Sequence, residues 1–134
     1  MATTILVAQV ITIAGHDFSV YASKGELSAE AEDKDVTTHG SGGWKEHAGG
    51  LKDGEVALEF FQDFANLDAV MWPLLGTVQT FTMRANSGAI SATNPQYSGS
   101  LFIKQWNPLS GSVGDEATVS VSFPTTGAIS RATS

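Results

Sequence analysis

Short runs of alternating apolar and polar residues, divided by glycine-containing turns, extend along most of the chain. The turn clusters are Ala14-Gly15-His16-Asp17, Gly40-Ser41-Gly42-Gly43, Lys52-Asp53-Gly54, Asn86-Ser87-Gly88 and Ser110-Gly111-Ser112. Thr, Ser, Val, Ile and Phe dominate between them, which predicts a mainly β domain. The expected strands are Thr4–Ile13, Phe18–Tyr21, Gly25–Asp33, Glu55–Asp63, Thr77–Arg84, Ser98–Trp106 and Ala117–Phe123.

Side chains alternate between the two sides of a strand, so two of these runs define faces. In Gly25–Asp33, Glu26, Ser28, Glu30 and Glu32 share one side, and Leu27, Ala29 and Ala31 share the other. In Glu55–Asp63, the set Glu55, Ala57, Glu59, Phe61 and Asp63 opposes Val56, Leu58 and Phe60. Both strands therefore carry an acidic side with little lysine to balance it. Ala117–Phe123 alternates too, with Val119, Val121 and Phe123 against Thr118, Ser120 and Ser122.

One segment has helical spacing instead. Leu67, Val70, Met71, Leu74 and Leu75 recur at the helical period, with Asn66 as the expected N-cap, Asp68 in the first turn and Gly76 as terminator. Pro73 limits the element to about two turns, because proline cannot donate back along the helix. Residues 127–134 read as a flexible polar tail. No repeat, heptad or low-complexity tract is present.

Composition narrows the class. The chain has 134 residues, 42% apolar and 16% charged, which fits a single domain able to bury its own core without staples. No apolar run is long enough to cross a bilayer as a helix, and the first residues lack the pattern of a secretory signal. There is no cysteine, which excludes disulfides and thiolate metal sites. The net charge of −7 is uneven: residues 1–68 hold twelve acids against four lysines, and the remainder holds two acids against Arg84, Lys104 and Arg131. Such an acidic chain cannot release counterions from phosphate, so stable nucleic-acid or anionic-membrane binding is not expected.

Candidate catalytic chemistry is thin, and the expectation is that the chain is not an enzyme. His16, His39 and His47 lack strand-pair or helix-pair spacing for a metal, and the least poor set is His39 and His47 with Asp35. They read as exposed loop histidines, and no metal or cofactor is expected. Gly40-Ser41-Gly42-Gly43-Trp44-Lys45 lacks the spacing of a phosphate-binding loop. Glu30 and Glu59 could pair as in a glycosidase only within a cleft bearing sugar platforms. Trp44, Trp72 and Trp106 are more simply core or interface residues than such a platform.

The stretch from Asp35 to Leu75 is more specific. It contains Asp35-Val36-Thr37-Thr38-His39-Gly40, Gly43-Trp44-Lys45-Glu46, Ala48-Gly49-Gly50-Leu51-Lys52-Asp53-Gly54-Glu55-Val56-Ala57-Leu58-Glu59-Phe60 and Leu67-Asp68-Ala69-Val70-Met71-Trp72. This resembles the major tail proteins that build the tail tube of long-tailed, non-contractile bacteriophages. In that family a "D-V-T-T-x-G" strand end leads through a Trp-containing loop into "L-x-D-x-x-V-x-L-E" and then a short helix. Ile11 to Gly15 and Phe18 to Tyr21 match the family's entry more loosely, and the C-terminal half matches only in strand rhythm.

The resemblance implies a β-sandwich or half-barrel with one short flanking α-helix, the phage tail tube fold, spanning residues 1–134. It implies six copies in a ring and rings stacked into a hollow tube, in the virion tail, assembled in the bacterial cytoplasm. Partners would be further copies of the chain, tail tip and tail terminator proteins, a tape-measure protein in the lumen during assembly, and DNA in transit; no membrane is involved. Glu26, Glu30, Glu32, Glu55 and Glu59 become candidates for the lumen, with solvated outer surface as the alternative for the same face. The segment at about 39–53 becomes the candidate ring-stacking loop, expected to be mobile before assembly, with Gly42, Gly43, Trp44, Lys45, Glu46 and His47 as its contact residues. Two alternatives stay open: an inner tube of a contractile tail or injection machine, and a monomeric β-sandwich binding module of a virion surface or carbohydrate-binding type.

Overall fold

The computed structural model describes residues 8–134. Seven strands form: β1 (Val10–Ile13), β2 (His16–Asp17), β3 (Ala22–Asp35), β4 (His47–Phe61), β5 (Val78–Arg84), β6 (Gln96–Phe102) and β7 (Thr118–Ala132). Their spatial order is β2-β1-β5-β6-β7-β4-β3, antiparallel throughout. The order folds into two layers because β7 serves both: residues 118–124 pair with β4, and residues 125–132 pair with β6. Pro124 stands at the handover, where a residue without an N–H is tolerated because the ladder is changing partners. The result is an open, sandwich-like β fold with a short helical segment on its flank, as the alternation predicts.

The core lies between the layers and is filled by the inward side of each alternating strand. Ile11 and Ile13 of β1, Phe81 and Met83 of β5, and Leu101 of β6 meet Val56, Leu58 and Phe60 of β4 and Val119, Val121 and Phe123 of β7. Phe60 is fully buried, edge-on to Phe18 at a centroid distance of 6.2 Å and tilted against Trp106 at 6.4 Å. Burying each such side chain contributes about 1.5–3 kcal/mol, so this cluster is the main stabilising term.

The helical segment occupies residues 64–74 as a π turn (Phe64–Asp68), an α turn (Ala69–Met71) and a 3-10 turn (Trp72–Leu74). Leu67 and Met71 are buried, and Val70 and Leu74 pack against the core, as their spacing predicts, whereas Leu75, expected with them, is exposed past the end of the segment. Gly76 ends the segment with φ +86°. The cap differs from expectation. It is Asp63, whose carboxylate accepts from Ala65 N and Asn66 N, both at 3.1 Å, while Asn66 Nδ2 donates to Asp63 Oδ2 at 3.0 Å. Strand β4 stops at Phe61, two residues short of its expected end, which frees Asp63 to act from an extended backbone.

Other boundaries also moved. Residues 4–7 of the first expected strand lie outside the described residues. The expected strand Phe18–Tyr21 is a turn, in which Ser19 N donates to Asp17 Oδ1 and Tyr21 N to Phe18 O. Residues 127–132, read as tail, continue β7 beside β6. The segment 39–53 is a loop only to Glu46, because His47 opens β4.

Candidate functional site

The β3–β4 ladder carries the acidic residues and sorts them by register. Lys24 faces Glu59, Glu26 faces Ala57, Ser28 faces Glu55 and Glu30 faces Asp53. Directly paired residues share a side of the sheet, so Glu26, Glu30, Glu55 and Glu59 lie on one face, with Asp53 among them. The same register extends it across β7, where Pro124, Ser122 and Ser120 oppose Glu55, Ala57 and Glu59. Lys24 is the cation among these pairs. None of the four glutamates makes an ion pair among the described residues, where the pairs are Lys34–Glu32 and His47–Asp33. Ser122 Oγ hydrogen-bonds to the Glu55 carboxylate.

Glu32 stands apart from this set. A register shift separates Ala31, opposite Lys52, from Asp33, opposite Gly49. Beyond it the Glu32 carboxylate lies 3.1 Å from Lys34 Nζ, and both side chains pass over Gly50, where a Cβ would meet Glu32 Oε2 at 2.8 Å. Its charge is locally neutralised.

Past Ala29 and Gly54 the two strands leave the body as a ribbon. No side chain of residues 29–35 or 47–53 is buried on either side, although Leu27, Val56, Leu58 and Phe60 just before them pack inward. At about 3.3 Å per residue the ribbon projects roughly 20 Å. Ala29 and Ala31, on the small apolar side opposite the glutamates, are exposed.

The arm ends in a closed turn. Val36 N donates to Glu46 O at 3.0 Å, Glu46 N to Thr37 Oγ1 at 2.8 Å, Ser41 N to Thr38 O at 3.0 Å and Trp44 N to Ser41 O at 3.3 Å. Gly42 and Gly43 take φ values of +66° and +86°, a region costly for other residues, and so allow the chain to reverse. Hydrogen bonds from Thr37 hold the Asp35 carboxyl below its ordinary range. Trp44 at the apex is 80% exposed, with Lys45 and Glu46 beside it. His47 Nδ1 lies 2.7 Å from Asp33 Oδ1 at the start of β4.

The remaining chemistry is dispersed. His16 lies in β2 against Phe18, and His39 opens a 3-10 turn in the arm tip. Among the described residues no group of three or more His, Cys, Asp or Glu could hold a metal ion. The tryptophans are separated as well: Trp106 is core and donates to Asp68 Oδ1 at 2.8 Å, Trp72 is half-exposed on the 3-10 turn, and Trp44 is on the arm. No helix of the described residues is long and apolar enough to cross a membrane. Sequence reasoning missed Asp53 as a member of the acidic face and missed the arm as a whole. The register opposite Glu30 reveals the first; the second had a signal in the lysines and glycines crowding residues 45–52, where a buried strand would carry large apolar residues.

No protein-family model matches the sequence, and no curated protein is detectably similar to it. Solved structures are similar. One chain, in the tail of an empty gene transfer agent particle refined with helical C6 symmetry, aligns with a TM-score of 0.72 and 22% identity over 90% of this chain and 92% of that one. A chain of the native gene transfer agent virion aligns with a TM-score of 0.70 and 20% identity over 92% of this chain and 95% of that one. The chain thus shares, over nearly its whole length, the fold of chains found in gene transfer agent particles.

Proposed function

We propose that this chain is the structural subunit of a phage-type tail tube, in which hexameric rings stack and an acidic lumen conducts DNA during ejection. The observation that carries the reading is the fold likeness to a chain of a sixfold-symmetric tail, covering nine-tenths of both chains. Two features of the surface support it. Among the described residues β3 ends the strand order and its fourteen-residue edge pairs with no further strand, and such an edge is a template for association that a closed ring would satisfy. An isolated two-stranded ribbon is marginal in water, so the arm with its exposed Trp44 and Leu51 has more reason to exist as a contact element than as free surface.

The charge then has a mechanical role. With Glu26, Glu30, Glu55 and Glu59 turned to the lumen, each ring presents unpaired carboxylates to the DNA phosphates. Repulsion acts within about 8 Å at physiological ionic strength, so it prevents adhesion at the wall without opposing axial movement. Glu32, neutralised by Lys34, contributes least of the five. The arm tip, with Gly42, Gly43, Trp44, Lys45, Glu46 and His47, contacts the adjoining ring. Tail tip and terminator proteins would close the two ends, and a tape-measure protein would fill the lumen during assembly in the host cytoplasm.

Size-exclusion chromatography and negative-stain microscopy of the purified protein test this reading. Sixfold rings and hollow filaments are expected. A 14.0 kDa monomer that persists at high concentration would overturn it.

A further inference from the structure

Where the acidic ribbon leaves the body, an apolar groove of about 530 Å³ opens between the layers. Among the described residues it is lined by the apolar Leu27, Met83, Tyr97 and Ile129 and by Arg84 and Arg131, with Gln9 beside them. Both guanidiniums are steadied by neutral acceptors: Arg84 Nη1 donates to Gln96 Oε1 at 2.8 Å and its Nε to Asn86 O at 3.1 Å, while Arg131 Nε donates to Tyr97 Oη at 3.2 Å. Neither makes an ion pair among the described residues. The groove is thus an apolar slot beside two pre-positioned cations in an otherwise acidic protein.

The arm tip has the opposite pattern. Trp44 and Val36 are exposed apolar side chains, and Asp35 and Glu46 flank them, brought together by the Val36 N to Glu46 O bond. We propose that the arm tip of one copy docks into this groove on a second copy, with Trp44 on the apolar floor and Asp35 and Glu46 against Arg84 and Arg131. A buried tryptophan removes about 150–250 Å² from water, and arginine favours both aromatic faces and carboxylates. The groove of the same copy is out of reach, because Ala29 lines it at the base of the arm and the ribbon runs roughly 20 Å away from there. Arm and groove are different surfaces, so the contact is head-to-tail, the kind that propagates through rings or filaments. This assignment rests on the assembly reading above and names the receiving surface for the arm.

The chain has no cysteine, so an engineered disulfide reports the contact without background. Lys45→Cys, beside an intact Trp44 at the arm tip, combined with Ala85→Cys, a groove residue, should give an oxidised ladder of multimers on non-reducing gels, with Lys45→Cys alone giving no ladder. Charge reversal gives a second readout. Arg84→Glu/Arg131→Glu and Asp35→Lys/Glu46→Lys should each lose assembly at least tenfold, and an equimolar mixture should regain it, because every contact in an alternating assembly is again complementary. Assembly of either variant alone at the wild-type level, or a mixture that stays dispersed, would overturn the docking. So would a monomeric disulfide in Ile5→Cys/Ala85→Cys with no ladder from the Lys45–Ala85 pair, which would assign the groove to the chain's own first residues. Tubes without the Lys45–Ala85 link would sink the docking and leave the tube reading standing. A ladder without tubes would do the reverse.

Discussion

The two halves of the β3–β4 ladder share their strands and hydrogen-bond pattern but are held by different things. In the half next to the body, β4 is paired with β7 and its Val56, Leu58 and Phe60 are buried in the core between the layers, so every second residue is fixed by packing. In the outer half no side chain is buried, and among the described residues the strands are joined only to each other up to the tip at Val36–Glu46. Substitutions in the first half should therefore act on folding, and substitutions in the second should act on what the folded subunit contacts.

The largest effect on the folded subunit is expected at Phe60, which touches Phe18 and Trp106. Phe60→Ala should cost about 3–5 kcal/mol in denaturant unfolding, since it leaves a cavity at the centre of the cluster. Gly54, at the border of the halves, comes next. A Cβ there would approach Ile129 Cδ1 to 2.6 Å, Thr125 Oγ1 to 2.8 Å and Ser28 O to 3.1 Å, so Gly54→Ala should cost about 1–3 kcal/mol through overpacking.

Acid should act on the body through its helix cap. Hydrogen bonds from the Asn66 side chain and backbone hold the Asp63 carboxyl below its ordinary value of 3.8. A group whose pKa is lower folded than unfolded stabilises above the unfolded value and loses that contribution as pH falls through the folded one. Melting temperature should thus decline below about pH 4, and Asp63→Asn should flatten that limb. An acid limb unchanged in this variant would remove Asp63 from the account.

In the arm, Trp44→Ala should change unfolding by no more than about 0.5 kcal/mol, the range of surface substitutions, yet abolish filaments. A large loss of stability would mean that Trp44 is held by its own subunit. Glu30→Lys with Glu59→Lys should leave both folding and tube assembly near wild type while blocking DNA delivery. Normal delivery from such tubes would return the acidic face to mere solvated surface.

Much of this was legible because period-two alternation is a local signal. The spacing sets Val119, Val121 and Phe123 on one side of their strand, which is the buried one, and groups Glu26 with Glu30 and Glu55 with Glu59; the β3–β4 register is what joins the two pairs on one face. Alternation does not report whether a side is covered: Leu27 packs against the core, while Ala29 and Ala31 on the same side are exposed. Nor does it survive an inserted residue: the register shift after Ala31 set Glu32 beside Lys34, and Gly127, at φ +81°, disguised the end of β7 as tail. The charge asymmetry of the sequence located Arg84 and Arg131 in the basic half. Their meeting at one groove depends on the β5–β6–β7 pairing, in which Arg84 faces Gln96 and Tyr97 faces Arg131, a long-range register that no local pattern encodes.

The central claim, that the acidic face of β3 and β4 lines a channel, is tested most directly by a helical reconstruction of the assembled protein from electron cryomicroscopy. The account predicts sixfold rings with Glu30 and Glu59 turned toward the central cavity and the arm tip in contact with the adjoining copy. A reconstruction with these two glutamates on the outer wall, or an assembly without a continuous cavity, would contradict it.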